Sequence, residues 1–106
     1  MKTLRQMQSE FAALVPRLID KAIELGFEVT LGDAYRDPRV TYGHLFSAHK
    51  KRLAIDLNLF RNGEFLESTD AHKDLGEWWE QQHPQARWGG RFRDGNHYSF
   101  EWDGVK

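Results

Sequence analysis

The run Ala-Ile-Asp-Leu-Asn-Leu-Phe at residues 54–60 constrains the fold more than any other part of the chain. Its alternation has the two-residue period of a β-strand. Ile55, Leu57 and Leu59 fall on one face, and Ala54, Asp56, Asn58 and Phe60 on the other. Asn62-Gly63 follows, the strongest short-range hairpin signal, and Glu64-Phe65-Leu66 reads as the returning strand. A two-residue turn makes that pairing antiparallel. A carboxylate inside so apolar a strand is costly unless it is paired or bound to a metal, so Asp56 calls for a partner.

The flanking sequence supplies helices. Thr3-Leu4-Arg5-Gln6 fits a capping box. Leu4, Met7, Phe11, Leu14, Leu18, Ala22 and Leu25 then recur at helical spacing. Pro16 either kinks this helix or starts a second one, and Gly26 ends it. Residues 27–31 alternate as a strand. Residues 32–48 read as a long loop with room for a helical turn, and long loops in compact domains are often functional. Ser68 or Thr69 opens a helix to about Gln82 that carries Leu75, Trp78 and Trp79, and Pro84 closes it. Trp88-Gly89-Gly90 reads as a flexible link. Residues 97–102 form a last strand, with Tyr98, Phe100 and Trp102 on one face and His97, Ser99 and Glu101 on the other. The expected architecture is one α+β domain over residues 1–106. Its small antiparallel sheet has helices packed on one side.

Composition narrows the chemistry. With 15 basic and 16 acidic side chains the net charge is −1, which gives no case for a nucleic-acid partner. Cysteine is absent, so disulfides, thiolate zinc sites and a Cys nucleophile are excluded. Zinc in this chain would have to use His with Asp or Glu. No apolar run approaches a membrane span. The start, Met1-Lys2-Thr3-Leu4-Arg5, leads into amphipathic sequence rather than a secretory signal. The expectation is a cytoplasmic monomer with no membrane insertion.

Two short segments carry the candidate chemistry. In residues 47–56, His49 precedes Asp56 by seven positions. In residues 94–98, His97 opens a strand with Asp94 three positions before it. If the two strands pair, Asp56 and His97 point from the same face within about 5 Å. His49, on the loop entering the strand, can supply a third ligand. Two His and one carboxylate leave a fourth zinc position open, as catalytic sites require. The spacing also allows a plainer arrangement, with His49 on a surface loop and Asp56 paired to an Arg.

With these residues in view, the sequence resembles the M15 metallopeptidases, which include D-alanyl-D-alanine carboxypeptidases and phage L-alanyl-D-glutamate endopeptidases. The family pattern is Ser-x-His-x6-Asp, then much later an acid-x-x-His. Ser47/His49/Asp56 and Asp94/His97 match both halves, and Tyr35-Arg36 stands where the family has an Arg after a first strand. The resemblance covers residues 27–102. It implies zinc ligands at His49, Asp56 and His97, a general base at Asp94 and an oxyanion-stabilising Arg36. It also implies a zinc site on the face away from the helices, and the peptide stem of peptidoglycan as substrate. Many members have Gly where this chain has Arg52, and the loop from Arg36 to Ser47 is short, so Arg39 is an alternative to Arg36. Strict alternation would aim Asp94 away from His97, so Gly95-Asn96 must bend the chain.

The resemblance further implies an endolysin that cuts L-alanyl-D-glutamate bonds after the membrane is permeabilised. The alternatives are a D,D-carboxypeptidase or dipeptidase, and a non-catalytic zinc-stabilised wall-binding module. The remaining polar residues have plainer readings. His44 is a solvated loop residue or a substrate contact. His72 and His83 are surface residues. Glu101 supports His97 or forms a surface ion pair. Ser47 orders its loop. Lys50-Lys51-Arg52 is a solvated basic edge that can attract an anionic polymer.

Overall fold

The computed structural model describes residues 1–40 and 47–106. Helix α1 spans Leu4–Glu24, and its capping box forms as the sequence predicts: Thr3 accepts from the Gln6 N–H, and the Gln6 side chain accepts from the Thr3 N–H. Pro16 lies inside this single helix, so it does not start a second one. Met7, Phe11, Leu18 and Ala22 are its buried stripe. At its end the Gly26 N–H donates to Ile23 and the Phe27 N–H to Ala22, the paired bonds of a Schellman stop.

The strands are β1 (Glu28–Leu31), β2 (Ala54–Arg61), β3 (Glu64–Leu66), β4 (Ala86–Trp88) and β5 (His97–Phe100), and helix α2 is Lys73–Glu80. All pairings are antiparallel, in the order β1-β2-β5-β4, with β3 also on β2. Asn62 (φ 52°) and Gly63 (φ 77°) turn the β2–β3 hairpin, with Arg61 opposite Glu64. The molecule is α+β, an open antiparallel sheet with two helices packed against it.

The core lies between the helices and one face of the sheet. Ile55, Leu57, Leu59, Tyr98 and Phe100 are buried there, as the alternation of β2 requires. Phe11 of α1 meets Phe100 edge-on at 5.2 Å and Trp79 of α2 at 5.9 Å. The Trp79 indole N–H is shared between the main-chain oxygens of Arg87 and Ser99, so α2 is tied to both β4 and β5.

Several expectations need correction. Trp88-Gly89-Gly90 is not a flexible link. Trp88 ends β4 buried, its indole N–H donates to the Gly95 oxygen at 2.7 Å, and Gly89–Phe92 coil into a 3-10 turn. A Cβ on Gly89 would fall on the Asp94 carbonyl oxygen and against His97, so only glycine allows this approach. The last strand stops at Phe100, and Trp102 instead bridges Val105 in a separate turn. Lys50 is buried with its ammonium on the Val40 oxygen, while Lys51 and Arg52 are exposed, with the Arg52 guanidinium over the Tyr35 ring, so only part of the basic run is a solvated edge.

His72 and His83 are not surface residues either. His83 stacks on Phe100 at 4.3 Å and bonds Glu10, which clamps α1 to the turn after α2. His72 is 2% exposed and lies 2.7 Å from the Tyr98 hydroxyl. Burial lowers the His72 pKa to about 4. The folded value lies below the unfolded one near 6.5, so the unfolded chain takes up a proton that the folded chain refuses. The stability is complete above about pH 6.5 and is lost as the pH falls towards 4. By pH 5 the loss is about 2 kcal/mol. We predict that denaturant unfolding with a chelator present, at pH 7.5 and 5, will move the stability difference in favour of His72→Asn by that amount. Parallel losses in the two proteins would contradict it.

Candidate metal centre

Residues 47–53 fold so that His49 turns inward. Ser47 caps a 3-10 turn, Ala48–Lys51, and its hydroxyl accepts from the His49 N–H. Arg52 then adopts the left-handed conformation (φ 57°, ψ 35°). That is the backbone glycine takes most readily, so the Arg at this position keeps a glycine-like geometry. The Leu53 N–H closes the hook on the Ala48 oxygen, and β2 begins at Ala54.

β2 and β5 pair with Asp56 directly opposite His97, so the two side chains leave the same face of the sheet. The chain after β1 runs on beside β2. The Gly32 N–H donates to the Asp56 oxygen and the Asp56 N–H to the Asp33 oxygen. His49 Nε2 lies 3.1 Å from Asp56 Oδ1, His97 Nδ1 lies 3.5 Å from the same oxygen, and the imidazoles meet edge-on at 5.0 Å. One ligand atom from each of His49, Asp56 and His97 lies within 4.8 Å of the others. Among the described residues this is the one such group of three, and it can hold a metal ion.

Without an ion, protons hold the three donors together, and a metal would displace those on the nitrogens facing Asp56. Burial alone would raise the Asp56 pKa, but hydrogen bonds from His49 and His97 outweigh it and hold the carboxyl at about 2. Burial also opposes charging of His49, yet the bond to Asp56 and the contact with the Ala34 oxygen raise its pKa. His49 Nδ1 lies 2.9 Å from the Ala34 oxygen, and His97 Nε2 lies 3.1 Å from the Lys106 main-chain oxygen. Each imidazole thus donates one N–H to the main chain and turns its other nitrogen towards Asp56. Metal-ligating histidines use this arrangement to fix their tautomer.

The three residues open onto a cleft of about 610 Å³ that is also lined by Arg36, Ser47, Phe92, Asp94, Gly104, Val105 and Lys106. Asp94 is not on β5. The Asp94 N–H bonds the Gly89 oxygen, Arg93 is left-handed (φ 62°), and the His97 N–H returns to the Asp94 oxygen. This turn supplies the bend that strand alternation lacks. Asp94 Oδ2 comes within 3.8 Å of His97 Nδ1, with half of its side chain exposed to the cleft. The Arg36 guanidinium is nearly buried and bonds Asp33 at 3.0 Å. Arg39 instead lies exposed on Asp37, outside the cleft lining. Glu101 pairs with Arg87 at 3.0 Å, away from the cleft, so it does not support His97. His44 lies outside the described residues. Sequence reasoning passed over Gly104, Val105 and Lys106, although Asp103-Gly104 is itself a hairpin signal.

Neither a family model nor a curated protein matches the chain. We predict that the purified protein will bind one divalent ion per chain by equilibrium dialysis, and that His49→Ala or His97→Ala will weaken binding by more than about 100-fold. Binding that survived both substitutions would place the ion elsewhere.

Proposed function

We propose that the chain is a zinc peptidase of the M15 type that cuts the peptide stem of peptidoglycan between L-alanine and D-glutamate. The observation that carries this reading is the convergence of Arg36 and Asp94 on the cleft that contains His49, Asp56 and His97. A site needed only for metal-dependent folding has no use for an acid and a guanidinium beside its ligands. Two imidazoles and one carboxylate suit zinc and leave an open position. When bound, zinc polarises the scissile carbonyl and lowers the pKa of a water.

The chain's own groups supply the rest. Asp94 is half exposed and lines the cleft beside His97, so its carboxylate is able to take the attacking water's proton and pass it to the leaving amine. Arg36, braced by Asp33, offers fixed positive charge where the carbonyl oxygen becomes negative. Arg36 and Lys106 are the basic residues in the lining of the cleft, on the side where the stem's carboxylates would lie. Arg binds carboxylates bidentately, which favours recognition around D-glutamate.

Two measurements test this reading. Asp94→Asn should keep zinc and fold but lose roughly 10²–10⁴-fold in turnover of purified cell walls. A wild-type rate would remove Asp94 from the mechanism. Mass spectrometry of the digest should find released peptides with a new N-terminal D-glutamate. Free D-alanine without those termini would make the chain a D,D-carboxypeptidase. Zinc binding without any product would make it a wall-binding module.

A further inference from the structure

The segment after β5 makes a hairpin of its own. Trp102 and Val105 exchange both main-chain hydrogen bonds at 2.9 Å, across Asp103 (φ 49°) and Gly104 (φ 75°). Positive φ at both central residues is the type I′ turn, whose twist brings a chain straight back along itself. The returning residues, Val105 and Lys106, line the cleft, and Val105 also lines a neighbouring hollow with Ala48, Lys51, Leu53, Trp102 and Asp103. The return places the Lys106 main-chain oxygen 3.1 Å from His97 Nε2, on a histidine whose side chain is 5% exposed. His97 Nδ1 is the nitrogen left facing Asp56 and Asp94.

We propose that the Asp103–Gly104 turn is a positioning device for the metal centre. It holds the main-chain oxygen of Lys106 where His97 must carry its proton on Nε2, so that Nδ1 is presented to the ion. His49 is fixed in the opposite sense by Ala34, with Nε2 presented. This proposal rests on the zinc reading above and adds to it the element that orients one ligand. Partners of ligating histidines typically alter metal affinity by 10–100-fold when lost. Gly104 is the point at which to break the device. A Cβ there would meet nothing within 4 Å, so only its backbone conformation matters. A β-branched residue resists positive φ, whereas Asn tolerates it.

The test compares wild type with Gly104→Val, Gly104→Asn and Lys106→Ala, all as full-length chains titrated with zinc against a competing chelator. Long-range proton–nitrogen spectra of the imidazoles provide a second readout. Gly104→Val should bind zinc roughly tenfold or more weakly and, when zinc-loaded, lose the single Nε2–H state of His97. Gly104→Asn should restore both, and Lys106→Ala, which keeps the main-chain oxygen, should bind as wild type does. Equal affinity and an unchanged His97 tautomer in Gly104→Val would overturn the proposal and leave the zinc reading intact. A wild-type protein that bound no zinc would overturn both.

Discussion

The antiparallel register of β2 on β5, with Asp56 opposite His97, is the constraint on which the rest depends. A slip of one residue would turn one of the two side chains to the helix face and dissolve the site. The register is held by apolar burial, since the same pairing puts Ile55 opposite Tyr98 on the helix face and lines up Leu57, Leu59 and Phe100 with them. Five such side chains contribute on the order of 10 kcal/mol by burial. Burying the Asp56 carboxylate alone would cost several kcal/mol, and the two imidazoles outweigh that cost. The apolar face therefore sets the register, and the polar site takes the geometry it is given.

This explains which parts of the structure were legible in the sequence. Alternation is a local code for facing, so the placement of Asp56 and His97 on one face could be read from residues 54–60 and 97–100 alone. The hairpin at Asn62-Gly63 and the Thr3 cap are equally local signals. Asp94 was harder, because its position comes from the coil of residues 89–97 and not from a strand. That coil exists because Gly89 lets two backbone segments touch, a contact that no periodicity encodes. Gly89 thus reads as flexibility in the sequence and as close packing in the fold.

The misread histidines share a cause. His72 and His83 sit among polar neighbours in the sequence, and their burial depends on partners far along the chain. Tyr98 lies 26 residues beyond His72, and Glu10 lies 73 residues before His83. Lys50 is similar: its stem is covered and its ammonium reaches back to Val40. Amphipathic side chains hide their length in this way while satisfying the charged end. A basic run therefore says little about a surface until the fold shows where each ammonium goes.

The arrangement of the candidate centre also bears on how so small a chain keeps it together. Its donors come from the 3-10 turn before β2, from β2 and from β5, and their main-chain supports come from the loop after β1 and from the Trp102–Val105 hairpin. Ala48 and Leu53 anchor the 3-10 turn in the core and Trp102 and Val105 pack the hairpin against it, whereas the described residues of the loop after β1 add nothing to that core. Domains of about this size have little spare stability, and a metal is one of the usual supplements. An ion shared by His49, Asp56 and His97 would cross-link the 3-10 turn, β2 and β5 on the face opposite that core. Its binding free energy would then act as folding free energy for the cleft. On this argument the helix-face core does not need the ion, whereas the loop after β1, which touches His49 through Ala34, gains most from it. Chelation should therefore loosen the cleft without unfolding the sheet.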